Sequence, residues 1–158
     1  MKKSEMGTLK FIADVHLGKL ARHLRLLGFD TYFDSRFDDN EIISLSVSED
    51  RIILSRDKEM LNNKHIVRSY GIRSSDSREQ IREVMIRFDL YNYMKPFSRC
   101  MDCNGLIETV SKESVSEYLP PKTRQYYEEF FRCTVCGKIY WEGSHYENMK
   151  KQIQNLSG

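Results

Sequence analysis

Two patterns in the chain predict an α/β fold, a parallel sheet flanked by helices, followed by a small zinc-ribbon lobe. Over residues 9–88, short apolar runs alternate with stretches of helical period, the βαβα rhythm that builds a parallel sheet. Beyond them the chain's four cysteines stand as two Cys-x-x-Cys pairs, Cys100/Cys103 and Cys133/Cys136. Each such loop aims two sulfurs at one point, and two loops supply the four thiolates of a tetrahedral zinc site.

Leu9-Lys10-Phe11-Ile12-Ala13 reads as the first strand, ending at Asp14. Leu17, Leu20, Ala21, Leu24 and Leu27 then recur at helical spacing, with Gly28 placed to end that helix. Asp30-Thr31-Tyr32-Phe33 is a second short strand. Residues 40–49 are expected as a helix, although Ile43, Leu45 and Val47 also fit the alternation of a strand. Arg51-Ile52-Ile53-Leu54-Ser55 has the mostly apolar run of a buried parallel strand, and residues 65–70 supply a fourth. Ile81, Val84, Met85 and Phe88 mark the clearest helix, reached through Ser75-Asp76-Ser77.

Pro96-Phe97 divides a first domain, 1–95, from a zinc-ribbon domain, 96–158. Gly105 and Gly137 closely follow their cysteine pairs, where a tight turn around a metal uses glycine. A helix is expected over 123–131, after Pro120-Pro121, and Gly143-Ser144 suggests a turn that presents Trp141 and His145. Four thiolates leave a zinc ion no open position, so zinc here is structural and the chemistry must lie elsewhere.

Composition narrows the class. Hydrophobic residues make up 40% and charged residues 30% of the 158, the balance of a soluble globular chain with a real core. No apolar run is long enough to span a bilayer. Residues 1–6 lack the apolar stretch of a secretory signal, and metal-type cysteine spacing suits a reducing cytoplasm. A net charge of +2 is too small to point to nucleic acid by itself.

The acids point to chemistry. Parallel sheets bind ligands beyond the carboxyl ends of their strands. Asp14 ends the first strand, Asp38, Asp39 and Glu41 follow the second, and Asp57 follows the third. Gathered there, such carboxylates repel one another unless a cation sits among them, and hard oxygen ligands suit magnesium or manganese. Ions so held activate water for phosphodiester cleavage. Each acid also has a plainer use, since Asp38 or Asp39 can cap the helix after it and Asp57 a short turn through Met60-Leu61. Lys19, Arg22 and Arg25 recur every third residue on a helix beginning beside Asp14, as phosphate contacts or as a solvated face. Around the cysteines, Trp141 and His145 are the side chains best placed to meet unpaired bases, while the other rings are expected to build the lobe's core.

These residues resemble a family. Asp14 and the run Leu17-Gly18-Lys19-Leu20-Ala21-Arg22-His23-Leu24-Arg25-Leu26-Leu27-Gly28-Phe29-Asp30 closely resemble the opening of the Mut-seven C-terminal ribonuclease domain family, a PIN-like group. The likeness continues through Asp38-Asp39-Asn40-Glu41-Ile42-Ile43, Arg51-Ile52-Ile53-Leu54-Ser55-Arg56-Asp57 and both cysteine segments. It implies a PIN-like fold with a C-terminal zinc ribbon and a metal-dependent ribonuclease. Its acids fall on Asp14, on Asp38, Asp39 or Glu41, and on Asp57, with Asp39 the preferred middle ligand of a divalent ion and Asp38 a cap. His23 stands where the family commonly has tryptophan, and Ser55 where it has threonine; Asp76 is the candidate for a fourth acid.

The leading expectation is therefore a ribonuclease using magnesium or manganese, with the zinc ribbon assisting the fold and RNA binding. The alternative is a non-catalytic RNA-binding module with a structural zinc ribbon. A phosphohydrolase of small esters fits the acids but leaves the Lys19-Arg22-Arg25 stripe without a use.

Overall fold

The structure is a computed structural model and describes residues 9–156; residues 1–6, read above for a signal, lie outside it. The chain divides into two compact units, Met1–Asn104 and Gly105–Gly158.

The first unit is the expected four-stranded parallel sheet flanked by helices. Strands β1 (Phe11–Ala13), β2 (Thr31–Tyr32), β3 (Ile52–Ser55) and β4 (Ser69–Gly71) lie in the order β2-β1-β3-β4. All pairs are parallel, with Phe11 opposite both Thr31 and Ile52. Helices α1 (Gly18–Leu26), α2 (Asp39–Ser48) and α3 (Lys58–Leu61) fill the crossovers, and α4 (Ser77–Arg87) follows β4. Alternate strand residues face opposite sides. Ile12 and Ile53 pack with Ile42 and Ile43 of α2 and Met60 of α3. Phe11 meets Phe88, just after α4, edge-on at 5.5 Å.

Local chemistry sets the helix ends. α1 stops in a Schellman arrangement: Gly28 N–H donates to Arg25 O and Phe29 N–H to Leu24 O. Gly28 has φ +98°, and a Cβ there would lie 2.6 Å from Lys95 O, so only glycine fits. α2 starts with a complete capping box between Asp38 and Glu41. Its helical face wins over the strand alternation, because Ile42, Ile43 and Ser46 are the buried positions. β4 begins later than expected. His65 N–H bonds the Asn63 side chain and Ile66 N–H the Asn63 carbonyl, which holds 63–66 in a turn.

The second unit is built on an antiparallel sheet, β5 (Ile107–Val110), β6 (Phe130–Cys133) and β7 (Ile139–Tyr140), in that order. Helices α5 (Lys112–Val115) and α6 (Pro121–Tyr126) connect β5 to β6, and α7 (Ser144–Leu156) follows β7. The helix expected over 123–131 ends at Tyr126, because Phe130 and Phe131 pair into the sheet and Phe130 is wholly buried. Phe130, Val115 and Leu119 form the core, with Val110, Tyr127, Ile139 and Trp141 against them. The turn expected at Gly143-Ser144 falls at Gly143, whose N–H donates to Trp141 O at 2.9 Å, and Ser144 opens α7 directly after it. Among the described residues no helix is long and apolar enough to cross a membrane.

Candidate functional site

The strand order β2-β1-β3-β4 reverses direction between β1 and β3, and the crevice of such a sheet opens beyond the carboxyl ends of those two strands. Asp14 and Asp57 follow them. Asp14 is 5% exposed, and a carboxylate that buried needs donors. It has two: His16 N–H donates to Oδ1 at 2.7 Å, and the Ser55 hydroxyl to Oδ2 at 2.5 Å. Ser55, wholly buried at the end of β3, in turn accepts the Asp57 N–H at 2.9 Å. One hydroxyl thus ties the Asp14 carboxylate to the backbone of Asp57 across the switch point. Ser55 was legible only as a family position; its bridging geometry was not.

The other acids divide by role. Asp38 Oδ1 accepts the Glu41 N–H at 2.8 Å, and Glu41 Oε1 the Asp38 N–H at 3.4 Å, so both serve the cap of α2. Asp57 also caps: its Oδ1 accepts from the Glu59 and Met60 N–H groups that open α3. Asp76 likewise caps α4, accepting from Glu79 N–H. Asp39, first residue of α2, is exposed and carries no side-chain bond among the described residues. Asp14, Asp39 and Asp57 are not drawn into a metal-binding group of the kind the cysteines form.

The basic stripe departs from expectation. Arg25 is buried and satisfied by main-chain carbonyls, not presented to phosphates. Its Nε donates to Thr31 O at 2.8 Å, Nη1 to Met101 O at 3.0 Å and Asp102 O at 3.2 Å, and Nη2 to Phe33 O at 3.4 Å. The physical reason is local demand: a planar five-donor group meets unpaired carbonyls at the sheet edge and in the first cysteine loop. Arg22 is exposed and paired with Asp102 at 2.7 Å. Lys19 remains exposed, with no ion pair among the described residues. His23, between them, has a pKa lowered by burial and by the Arg22 and Lys19 charges.

The four cysteine sulfurs lie within 4.8 Å of one another and none is in a disulfide. Zn–S bonds of about 2.3 Å place tetrahedral sulfurs roughly 3.8 Å apart, so the cluster can hold zinc with little adjustment. The two Cys-x-x-Cys loops share one conformation. Asn104 N–H donates to Cys100 O at 2.9 Å and Gly137 N–H to Cys133 O at 3.1 Å, with φ of +71° and +80° at those residues. Cys133 Sγ accepts from the Val135 and Cys136 N–H groups at 3.4 Å, donors that suit a thiolate. Gly137 makes the turn as expected. In the first loop the left-handed residue is Asn104 rather than Gly105. Gly105 serves close approach, since a Cβ there would lie 2.9 Å from Cys133 Sγ and 2.7 Å from Val135.

A family model described as Mut7-C RNAse domain matches residues 9–153, nearly the whole chain. The chain belongs to the Mut7-C RNAse domain family. No curated protein and no solved structure matches it. The Mut7-C match spans both the switch-point acids and the four cysteines, so the family extends over both candidate sites. Trp141 and His145 fall within it too. Trp141 is half-buried against the second unit's core, 6.3 Å from the Phe130 ring, and His145 is exposed in the first turn of α7.

Proposed function

We propose that this Mut7-C protein is a metal-dependent ribonuclease of PIN-like type, hydrolysing RNA phosphodiester bonds at the carboxyl ends of β1 and β3. The observation that carries the reading is the Asp57–Ser55–Asp14 bridge at the switch point. This bridge ties the Asp14 carboxylate to the backbone of Asp57, whose own carboxylate is oriented by the N–H groups that open α3, and it leaves lone pairs on both acids for a magnesium or manganese ion. Asp39, the acid of the 38–41 segment not engaged in the α2 cap, is the third ligand in this reading.

A divalent ion there supplies Lewis acidity, acidifying water and offsetting the charge that builds on the phosphate oxygens. The chain's own residues do the rest. Asp14 and Asp57 would hold the ion at the carboxyl ends of β1 and β3, and Ser55 keeps Asp14 from turning away. Lys19, second residue of α1, exposed and without an ion pair among the described residues, meets a flanking phosphate in this reading, and Arg22 exchanges Asp102 for another. The four cysteines hold zinc as a staple of the fold. His145 is the exposed candidate of the second unit for RNA, and Trp141 contributes first to the core. A cytoplasmic setting keeps the thiols reduced.

The test is cleavage of labelled single-stranded and structured RNAs with magnesium or manganese, wild type beside Asp14→Asn. Metal-dependent cutting that disappears in the variant is expected. RNA binding without cutting in both proteins would favour the binding module.

A further inference from the structure

β2 is an edge strand, hydrogen-bonded to β1 on one side only. An open edge carries unpaired N–H and C=O groups, which folded proteins cover or blunt. Here the parallel register turns the Thr31 N–H, Thr31 O and Phe33 O outward, and side chains take all three. Asn104 Oδ1 accepts the Thr31 N–H at 3.0 Å, and the Arg25 guanidinium donates to Thr31 O and Phe33 O. The same guanidinium reaches Met101 O and Asp102 O inside the first cysteine loop, and Asn104 is the residue that closes that loop. Asn104 Nδ2 also donates to Asp30 Oδ1 at 2.7 Å, and Arg51, buried at the start of β3, donates to the same oxygen at 2.8 Å. The Cys100-x-x-Cys103 loop thus occupies the place of a fifth strand, with two side chains in place of a ladder.

We propose that Arg25 and Asn104 are positioning residues that couple metal occupancy of the cysteine cluster to the order of β2 and of the acidic segment after it, residues 34–41. With metal bound, the first loop is rigid and its carbonyls hold the Arg25 fork against β2. With metal removed, the loop is free to open, Arg25 loses half its acceptors, and the outer edge of β2 meets water. The segment that follows β2 carries Asp38 and Asp39, so loosening there reaches the candidate site through its β2 side. β3 lies on the far side of β1 from β2, and the hydrogen bonds of Arg25 and Asn104 given above do not reach it. The coupling rests on metal at the four cysteines and not on cleavage, so it stands or falls separately from the nuclease reading.

The experiment is hydrogen exchange followed by mass spectrometry on the full chain, zinc-loaded and chelator-treated, with metal content read by native mass spectrometry. Chelation is expected to speed exchange over residues 30–41 roughly tenfold or more, the scale of losing hydrogen bonds to a charged donor, while residues 52–55 keep their protection. Arg25→Gln and Asn104→Gly, the latter keeping the left-handed turn, are expected to reproduce the faster exchange with zinc still bound. Arg22→Ala, which removes only the exposed pair with Asp102, is expected to leave it unchanged. A chain that binds no metal at the cysteines overturns the proposal at the outset. So does uniform acceleration across the first unit, or normal exchange over 30–41 in zinc-loaded Arg25→Gln and Asn104→Gly.

Discussion

Ser55 is the side chain on which the candidate site turns, because a single hydroxyl serves a buried carboxylate and a backbone N–H at once. Ser55→Ala leaves Asp14 short of a donor and Asp57 N–H short of an acceptor, at a cost of about 1–3 kcal/mol. As a positioning residue it is expected to lower kcat about 10- to 100-fold while RNA affinity is kept. Ser55→Thr, which retains the hydroxyl, should restore the rate. Single-turnover cleavage beside anisotropy binding separates the two quantities, and equal loss of both would reduce Ser55 to a packing role. At this scale the sequence was legible where chemistry is local. Asp14 at a strand end, Asp38 as a cap and the cysteine spacing all follow from neighbours a few positions away. Arg25 was misread for the opposite reason. Its triplet spacing with Lys19 and Arg22 suggested a solvated stripe, and nothing near it announces carbonyl acceptors 76 residues further on, at Met101.

The helices after β2 and β3 each use an acid of the candidate site as a cap, so stability and chemistry overlap and have to be separated by substitution. Asp38→Ala removes the capping box of α2 and is expected to cost about 1 kcal/mol in denaturant unfolding, with cleavage retained below the melting temperature. Asp39→Ala breaks no hydrogen bond of the described structure and should change stability by less than about 0.5 kcal/mol, while abolishing cleavage if Asp39 is the ligand. The reversed pattern, with Asp39→Ala active and Asp38→Ala stable but dead, would transfer the ligand role to Asp38. The elements themselves were largely legible, since β1, α1, β3 and α4 carry strong apolar periods. The misses have physical causes. Phe130-Phe131 continues an apolar pattern out of α6 but is claimed by strands on both sides. α7 was overlooked behind Gly143, although apolar residues recur every three or four positions after Ser144.

At the scale of the whole chain, the two units differ in what holds them. The first has a sheet packed on both faces. Among the described residues the second buries Val115, Leu119 and Phe130 as its apolar cluster, with half-buried rings around them, and a core that small does not outweigh the entropy of ordering its chain without a staple. Zinc bound to folded thiolates adds its binding free energy to folding. Chelation is therefore expected to melt the second unit while β3 and α4 of the first stay folded. The chain reports on this directly. Its one tryptophan, Trp141, packs against Phe130 in that core, so its fluorescence should shift to the red on metal removal and return when zinc is restored. Acid should act in the same direction on both units. Protonation competes for the cysteine thiolates, releasing metal as pH falls. Burial would raise the Asp30 carboxyl, but hydrogen bonds from Arg51 and Asn104 outweigh it and hold the group below its ordinary 3.8. A depressed carboxylate contributes stability that is complete above 3.8 and is lost as pH falls through the lower, folded value. The Trp141 signal should accordingly change first, with metal release, and the β2 edge should loosen further only below about pH 4. A Trp141 signal indifferent to chelator at neutral pH would mean that the second unit stands on its apolar core alone, and that the four cysteines have some use other than as its staple.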